Sequence, residues 1–133
     1  MQSRKLFEGN YMQGKVGLFP FTPENLMRVG LALCTYLKIN KSIERPKMRV
    51  DALNFLTLSV AVGFMTGGGD VYMDEEGDII LRYVMEEGNA RLWIENLQDY
   101  ELKMVESILF SRYNMPRSEG EEVGSIWIPR NSL

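Results

Sequence analysis

MRVDALNFLTLSVAVGFMTGGGDVYM, residues 48–73, is the stretch of the chain that decides its fold class. It begins with a short strand predicted at residues 48–50 and ends with a second strand predicted at residues 70–73. The apolar side chains between them predict a helix over residues 53–65, and because they lie almost all round it, we expect this helix to be buried. Gly67-Gly68-Gly69 ends the helix. A strand, a helix and a strand in succession are typical of an α/β fold.

The same alternation continues on both sides of this stretch. Thr22 can cap a helix and Pro23 suits its first turn, where no N–H group is needed, so we predict a helix over residues 23–38. The remaining predicted elements are a strand at 15–19, a helix at 79–87 capped by Asp78 and ended by Gly88, a strand at 90–94, a helix at 99–110 and an edge strand at 123–128. The chain of 133 residues suits one core, which predicts a single domain over residues 1–133.

The charge of the chain argues against several classes of partner. Fifteen Lys and Arg residues stand against 18 Asp and Glu residues, for a net charge of −3. The basic residues are scattered and form no stripe, so we expect neither nucleic acid nor an anionic membrane surface as a partner. The sequence shows no apolar run of bilayer length and no signal peptide, which predicts a cytoplasmic protein.

The chain has no histidine and one cysteine, Cys34. The absence of histidine removes the commonest general base and the commonest zinc ligand. Cys34 falls in an apolar helical stretch, and we interpret it as a buried, inert thiol. An enzyme with new chemistry would need a pocket lined by carboxylates or tyrosine.

Several polar clusters invite a functional interpretation, and each has a plainer one. Gly67-Gly68-Gly69 follows a helix and precedes a strand, the reverse of a phosphate-binding loop, so it is read as a connection. Glu95 and Asp99, near the end of a strand, are candidates for a general acid and base, although nothing in the sequence indicates a pocket. The acidic residues interpreted as solvated surface charge are Asp74, Glu75, Glu76 and Asp78, then Glu86-Glu87 and Glu121-Glu122.

Four large aromatic residues are candidates either for the core or for anchoring a partner. Trp93 lies in a predicted central strand, which favours the core. For Trp127 the two interpretations stay open, and Tyr11 and Tyr113 share them.

Four stretches carry a resemblance by their collinear order. They are Lys5-Leu6-Phe7-Glu8-Gly9 through Gln13-Gly14-Lys15-Val16-Gly17, Phe21-Thr22-Pro23-Glu24 with Gly30-Leu31-Ala32-Leu33, Arg45-Pro46-Lys47 through Val60-Ala61-Val62-Gly63-Phe64-Met65 and Gly69-Asp70-Val71-Tyr72, and Pro116-Arg117 with Glu121-Glu122-Val123-Gly124-Ser125-Ile126. Together they resemble the first domain of the α-D-phosphohexomutases, the family of phosphoglucomutase and phosphomannomutase. The resemblance implies a three-layer α/β/α domain with a small mixed sheet of about four strands, and an added C-terminal edge strand.

The departures from that family bear on activity. The family follows its fourth strand with a Ser-His-Asn-Pro loop whose serine carries the phosphate, whereas residues 93–99 here lead directly into the last helix without serine or histidine. Asn96 is the one residue here that resembles the asparagine of that loop, and we assign it no role. The family's Gly-Arg-Asp-Thr-Arg stretch corresponds to residues 50–55, which retain Asp51 but no arginine. Because phosphoryl transfer needs an acceptor, a metal and cationic clamps, we expect no enzyme activity and assign no catalytic, cofactor-binding or metal residue.

The function expected from this resemblance is that of a noncatalytic domain acting through protein contacts. A solitary first domain carries a surface that packs on neighbours in the family, so we expect a homodimer or a partner mutase to cover it. The alternative is a binder of a phosphorylated sugar or another anion in a vestigial cleft. That alternative needs basic residues at strand ends, such as Lys15 or Arg91.

Overall fold

A computed structural model describes residues 5–111 and 123–129 of the chain. Three helices alternate with six strands, in the order β1 (Tyr11–Lys15), α1 (Pro23–Asn40), β2 (Lys47–Val50), α2 (Phe55–Thr66), β3 (Asp70–Tyr72), β4 (Ile79–Glu86), β5 (Asn89–Glu95), α3 (Asp99–Ser111) and β6 (Ile126–Trp127). The strands form one sheet in the order β1-β5-β4-β2-β3-β6. Pairing is parallel between β4, β2, β3 and β6 and antiparallel between β1, β5 and β4, so the predicted α/β class and mixed sheet are confirmed.

The starts of the first two helices follow from local capping. The Thr22 side chain accepts from the Asn25 N–H at 3.3 Å, as predicted for α1. Asn54 caps α2, because its side-chain oxygen accepts from the N–H groups of Leu56 and Thr57 at 2.8 and 3.1 Å. This cap places the start of α2 two residues after the predicted one.

Residues 79–87 form a strand and not the predicted helix. Ile79 and Leu81 of β4 are buried and Arg82 is exposed. The strand turns into β5 through Glu87 and Gly88, whose φ angles are +52° and +80°, so Gly88 belongs to a two-residue hairpin turn rather than a helix end.

Two further predictions at turns were wrong. Asp78, the predicted helix cap, accepts instead from the Lys47 N–H at 2.7 Å and so joins the loop before β4 to β2. The strand predicted at 15–19 lies instead at Tyr11–Lys15, because the chain turns after Lys15: the Leu18 N–H donates to the Lys15 carbonyl at 3.2 Å, and Gly17 has a φ of +92°. The edge strand predicted at 123–128 is present as a strand of two residues, Ile126–Trp127.

The sheet and the three helices form two layers in the described part of the chain, and not the three predicted. The buried strand side chains, such as Met12, Leu92, Ile94, Leu81 and Met48, all point to one face and join one core cluster with the helices. Their neighbours in sequence point to the other face and are exposed or half-buried. Six strands, rather than about four, therefore present an open face. None of the described helices has the length and apolar character to cross a membrane.

Candidate functional site

The pairing of β1 with β5 brings several polar and aromatic side chains together on the open face of the sheet. The register pairs Lys15 with Asn89, Gln13 with Arg91 and Tyr11 with Trp93. Directly paired residues of antiparallel strands point to the same face, so these side chains are neighbours there. Lys15 and Arg91, which lie far apart in the sequence, are thus brought to one place. We call the set Lys15, Asn89, Gln13, Arg91 and Trp93 the Arg91 cluster.

Arg91 occupies the centre of this cluster. Its guanidinium carbon lies 4.8 Å from the centre of the Tyr11 ring and 5.7 Å from that of Trp93. Its Nη2 donates to Gln13 Oε1 at 2.9 Å. The two rings are tilted by 51° with centroids 6.5 Å apart. Cation–π contacts with two rings and one hydrogen bond therefore restrain the Arg91 guanidinium.

A chain of ion pairs crosses the middle of the open sheet face. Arg49 pairs with Asp51 at 3.0 Å, and Arg82 bridges Asp51 and Glu95 at 2.9 Å each. The hydrogen bond and charge of Glu95 raise the pKa of Arg82, and Asp51 adds to this. Two cations and two anions compensate one another here, so this part of the face offers no free charge.

A second aromatic pair lies at the opposite edge of the sheet. Tyr72 and Trp127 stack with centroids 6.0 Å apart and an interplanar angle of 6°, and Lys47 Nζ lies 5.2 Å from the Tyr72 ring centre. Trp127 remains 54% exposed, so it belongs to the surface.

The helical layer carries a different kind of surface, made by α2 and the adjoining side of α1. Although α2 contacts solvent, it contains no charged residue. Its outward side chains Phe55 and Leu58 are 40% and 42% exposed, and Met27 of α1 is 41% exposed. Val62 of α2 and Leu31 of α1 are half-buried. We call these five residues the helix-layer patch.

The connection between β5 and α3 does not bring the predicted carboxylate pair together. Glu95 lies on the open sheet face and accepts from Arg82, whereas the Asp99 carboxylate lies beside Gly9 at the start of α3. Asn96 turns the chain with a φ of +78°, and Leu97 is buried. Glu95 and Asp99 therefore contact different residues and do not form the predicted carboxylate pair.

The remaining residues singled out in the sequence lie at the following places in the fold. Gly67-Gly68-Gly69 forms the connection from α2 to β3, as predicted: the Gly67 carbonyl accepts from Lys38 Nζ at 3.1 Å, and Gly69 packs against the Phe64 ring.

Cys34 is fully buried, as predicted. Asp74, Glu75, Glu76, Glu86 and Glu87 are exposed. Across residues 5–111 and 123–129, no group of three acidic or cysteine side chains is placed to hold a metal ion. Tyr113 and Glu121-Glu122 lie outside the described residues.

Trp93 is half-buried on the open sheet face and is not a core residue. The prediction was wrong because side chains alternate along a strand, and Leu92 and Ile94 take the two buried positions beside it.

Sequence analysis missed a buried polar cluster between α1 and α3. Glu101 is buried and accepts from Lys41 Nζ at 2.8 Å, from the Gln98 N–H at 2.8 Å and from the Tyr36 hydroxyl at 3.0 Å. Burial opposes the charge on Glu101, but the hydrogen bonds from Lys41, Gln98 and Tyr36 outweigh it and hold its pKa below the usual value. Burial and the Glu101 carboxylate raise the pKa of Tyr36 to about 12. A tyrosine in an otherwise apolar helical stripe is the one signal that could have indicated this contact.

Comparison of the sequence with protein-family models and with curated proteins finds no match. The resemblance to the phosphohexomutases accordingly stays a prediction from the residues quoted above.

Proposed function

We propose that this chain is a noncatalytic, phosphohexomutase-like domain that acts through protein contacts, and that it forms a two-fold dimer through the helix-layer patch. The observation that carries the proposal is α2, a surface helix of 12 residues without a single charge. Surface helices of soluble proteins ordinarily carry charged residues on the side facing water, whereas apolar outer faces mark contact sites.

The hydroxyl groups near the patch support its burial against an apolar surface. Ser59 Oγ donates to the Phe55 carbonyl at 2.7 Å, and Thr66 Oγ1 donates to the Val62 carbonyl at 2.8 Å. On α1, Thr35 Oγ1 donates to the Leu31 carbonyl at 2.8 Å in the same manner. Because these donors are satisfied within their own helices, covering them leaves no donor without a partner.

A second copy of the chain suits this patch better than a charged partner. In a two-fold contact the same patch lies on both sides, so any charge in the patch would be buried in both copies. The helix-layer patch has none. Met27, which is flexible, can adapt to the facing surface, and burial of the exposed apolar area contributes about 25 cal/mol per Å².

The connection after β5 supports a noncatalytic role. Residues 93–99 contain no serine, cysteine or histidine that could accept a phosphoryl group. The nearest carboxylate on the open face, Glu95, is held by Arg82 at 2.9 Å.

Equilibrium sedimentation tests the dimer with a matched pair of variants. Leu58→Glu places a charge in the helix-layer patch, whereas Met104→Glu makes the same kind of change at a similarly exposed position on α3. We expect the wild type and Met104→Glu to be dimers at about 100 µM and Leu58→Glu to be a monomer. A monomeric wild type, or a dimer that both variants retain, would contradict the proposal; in the first case a different protein would be left as the occupant of the patch.

A further inference from the structure

We infer that the Arg91 cluster on the open sheet face is a phosphate-binding site, and that its ligand is a 5′-mononucleotide whose base stacks on Trp93. This site lies on the face of the sheet opposite the helices, so it is independent of the dimer proposed above.

The donors of the site converge from two paired strands. Lys15 and Gln13 of β1 stand beside Asn89 and Arg91 of β5, and all four side chains are exposed on the same face. An ammonium, a guanidinium and two amide groups are all hydrogen-bond donors, the chemistry that a phosphate group needs.

Arg91 is the cation of this face best prepared to bind an anion. Arg49 and Arg82 are held by carboxylates, whereas Arg91 donates a hydrogen bond to the neutral amide oxygen of Gln13. Within residues 5–111 and 123–129, no carboxylate forms a direct ion pair with Arg91. Since Gln13 accepts through Oε1, its own Nε2 is left to donate. The cation–π contact with Tyr11 restrains the Arg91 side chain before a ligand arrives, which lowers the entropic cost of binding.

A hollow beside Arg91 has room for the rest of a nucleotide. Its volume is about 780 Å³, and Trp93, Val84 and Gln13 are among the residues that line it. Trp93 offers a half-exposed indole on which a planar ring can stack, and such stacking contributes about 1–3 kcal/mol per base.

Carboxylates on one side of the hollow orient the ligand. Glu86 and Glu87 line it at the hairpin end, and Glu86 is paired with Asn89. Because these charges repel phosphate, the phosphate lies toward Gln13 and Arg91, which are paired two positions further from the hairpin. The negative charge of the whole chain disfavours a long polyanion, so we commit to a free nucleotide rather than to single-stranded nucleic acid.

Tryptophan fluorescence gives a direct readout of this site. The chain has two tryptophans, so the Trp127→Phe variant reports on Trp93 alone. We expect AMP to quench that fluorescence saturably, with a dissociation constant of about 1 mM or below. Adenosine, which lacks the phosphate, and ribose 5-phosphate, which lacks the base, should each bind at least about tenfold more weakly.

Matched variants assign the binding to Arg91. In the Trp127→Phe background, Arg91→Gln should weaken AMP binding at least about tenfold. The affinity of Arg91→Lys for AMP should lie between that of Arg91→Gln and that of the unaltered background, because lysine keeps the charge but loses the planar guanidinium. Lys47→Gln removes a cation from the same face outside the cluster and should leave binding unchanged. Circular dichroism of each variant checks that the fold is retained.

Several outcomes would overturn the inference. They are the absence of quenching by AMP, equal binding of adenosine and AMP, and equal weakening by Arg91→Gln and Lys47→Gln. An octanucleotide that binds far more tightly than AMP would replace the free nucleotide with single-stranded nucleic acid as the ligand.

Discussion

Gly30 of α1 and Gly63 of α2 each lie against the backbone of the other helix where the two helices cross. A side-chain carbon added at Gly30 would run into the Val60 carbonyl, and one added at Gly63 would run into the Met27 carbonyl. The two glycines therefore allow a backbone approach that no other residue permits. This approach sets how α2 sits on α1 and which side of α2 is left outward.

Gly63→Ala should destabilise the fold for that reason. The added methyl group meets backbone rather than a movable side chain, so we expect a loss of at least about 1–3 kcal/mol in the free energy of unfolding. Urea denaturation measures it. Ser59→Ala, on the exposed side of the same helix, should change stability by less than about 0.5 kcal/mol. Equal stability of Gly63→Ala and the wild type would show that the helices can separate at no cost.

Glu101 should make the fold sensitive to acid. Its pKa is lowered in the folded protein, so its stabilising effect is complete above its usual pKa of 4.5 and is lost as the pH falls through the lower folded value. Glu101→Gln should be less stable than the wild type at pH 7 by about 1–3 kcal/mol, and the difference should shrink as the pH falls below 4.5. Denaturation curves between pH 7 and the acid range test this, and a pH-independent difference would contradict it.

Tyr36 should make the fold sensitive to alkali. Its pKa rises from 10.0 to about 12 on folding, so the folded protein keeps the phenol proton over a pH range in which the unfolded chain releases it. Stability should therefore fall as the pH rises above 10.0, and Tyr36→Phe should remove that part of the decline. Thermal unfolding measured from pH 8 upward tests it. Tyr72→Phe, at a half-buried position on the sheet and not among the groups that raise the pKa of Tyr36, is the control and should leave the decline in place.

Asp70 should hold the C-terminal strand on the sheet. Its carboxylate accepts from Arg45 Nε at 2.6 Å and from the Ser125 N–H at 3.0 Å, and the Val71 N–H donates to the Ser125 carbonyl at 2.8 Å. Asp70→Asn removes the carboxylate charge that strengthens the bond from the Ser125 N–H, so hydrogen exchange at the Val71 amide should become at least about tenfold faster. Asp74→Asn, at an exposed position, should leave it unchanged. Unaltered exchange in Asp70→Asn would mean that the backbone pairing of β3 and β6 suffices.

The first two helices could be predicted because their signals are local. Thr22 and Pro23 start α1 within one turn of the chain, and the run of apolar side chains in α2 needs no partner to be recognised. The error at residues 79–87 has an equally physical cause. Ile79, Tyr83 and Val84 fit a helical spacing, but Ile79, Leu81 and Tyr83 also fit the two-residue period of a strand, and pairing with β2 and β5 decided between them.

The sequence by itself determined the α/β class, the capped start of α1, the absence of histidine chemistry and the identity of Lys15 and Arg91 as available cations. The tertiary structure alone decided that these two cations lie on paired strands, that Trp93 leaves the core, and that all described helices cover one face of the sheet. The reason is the range of the interactions involved. Caps and apolar periods act between residues a few positions apart, whereas Gln13 and Arg91 are separated by 78 positions and meet only through strand pairing.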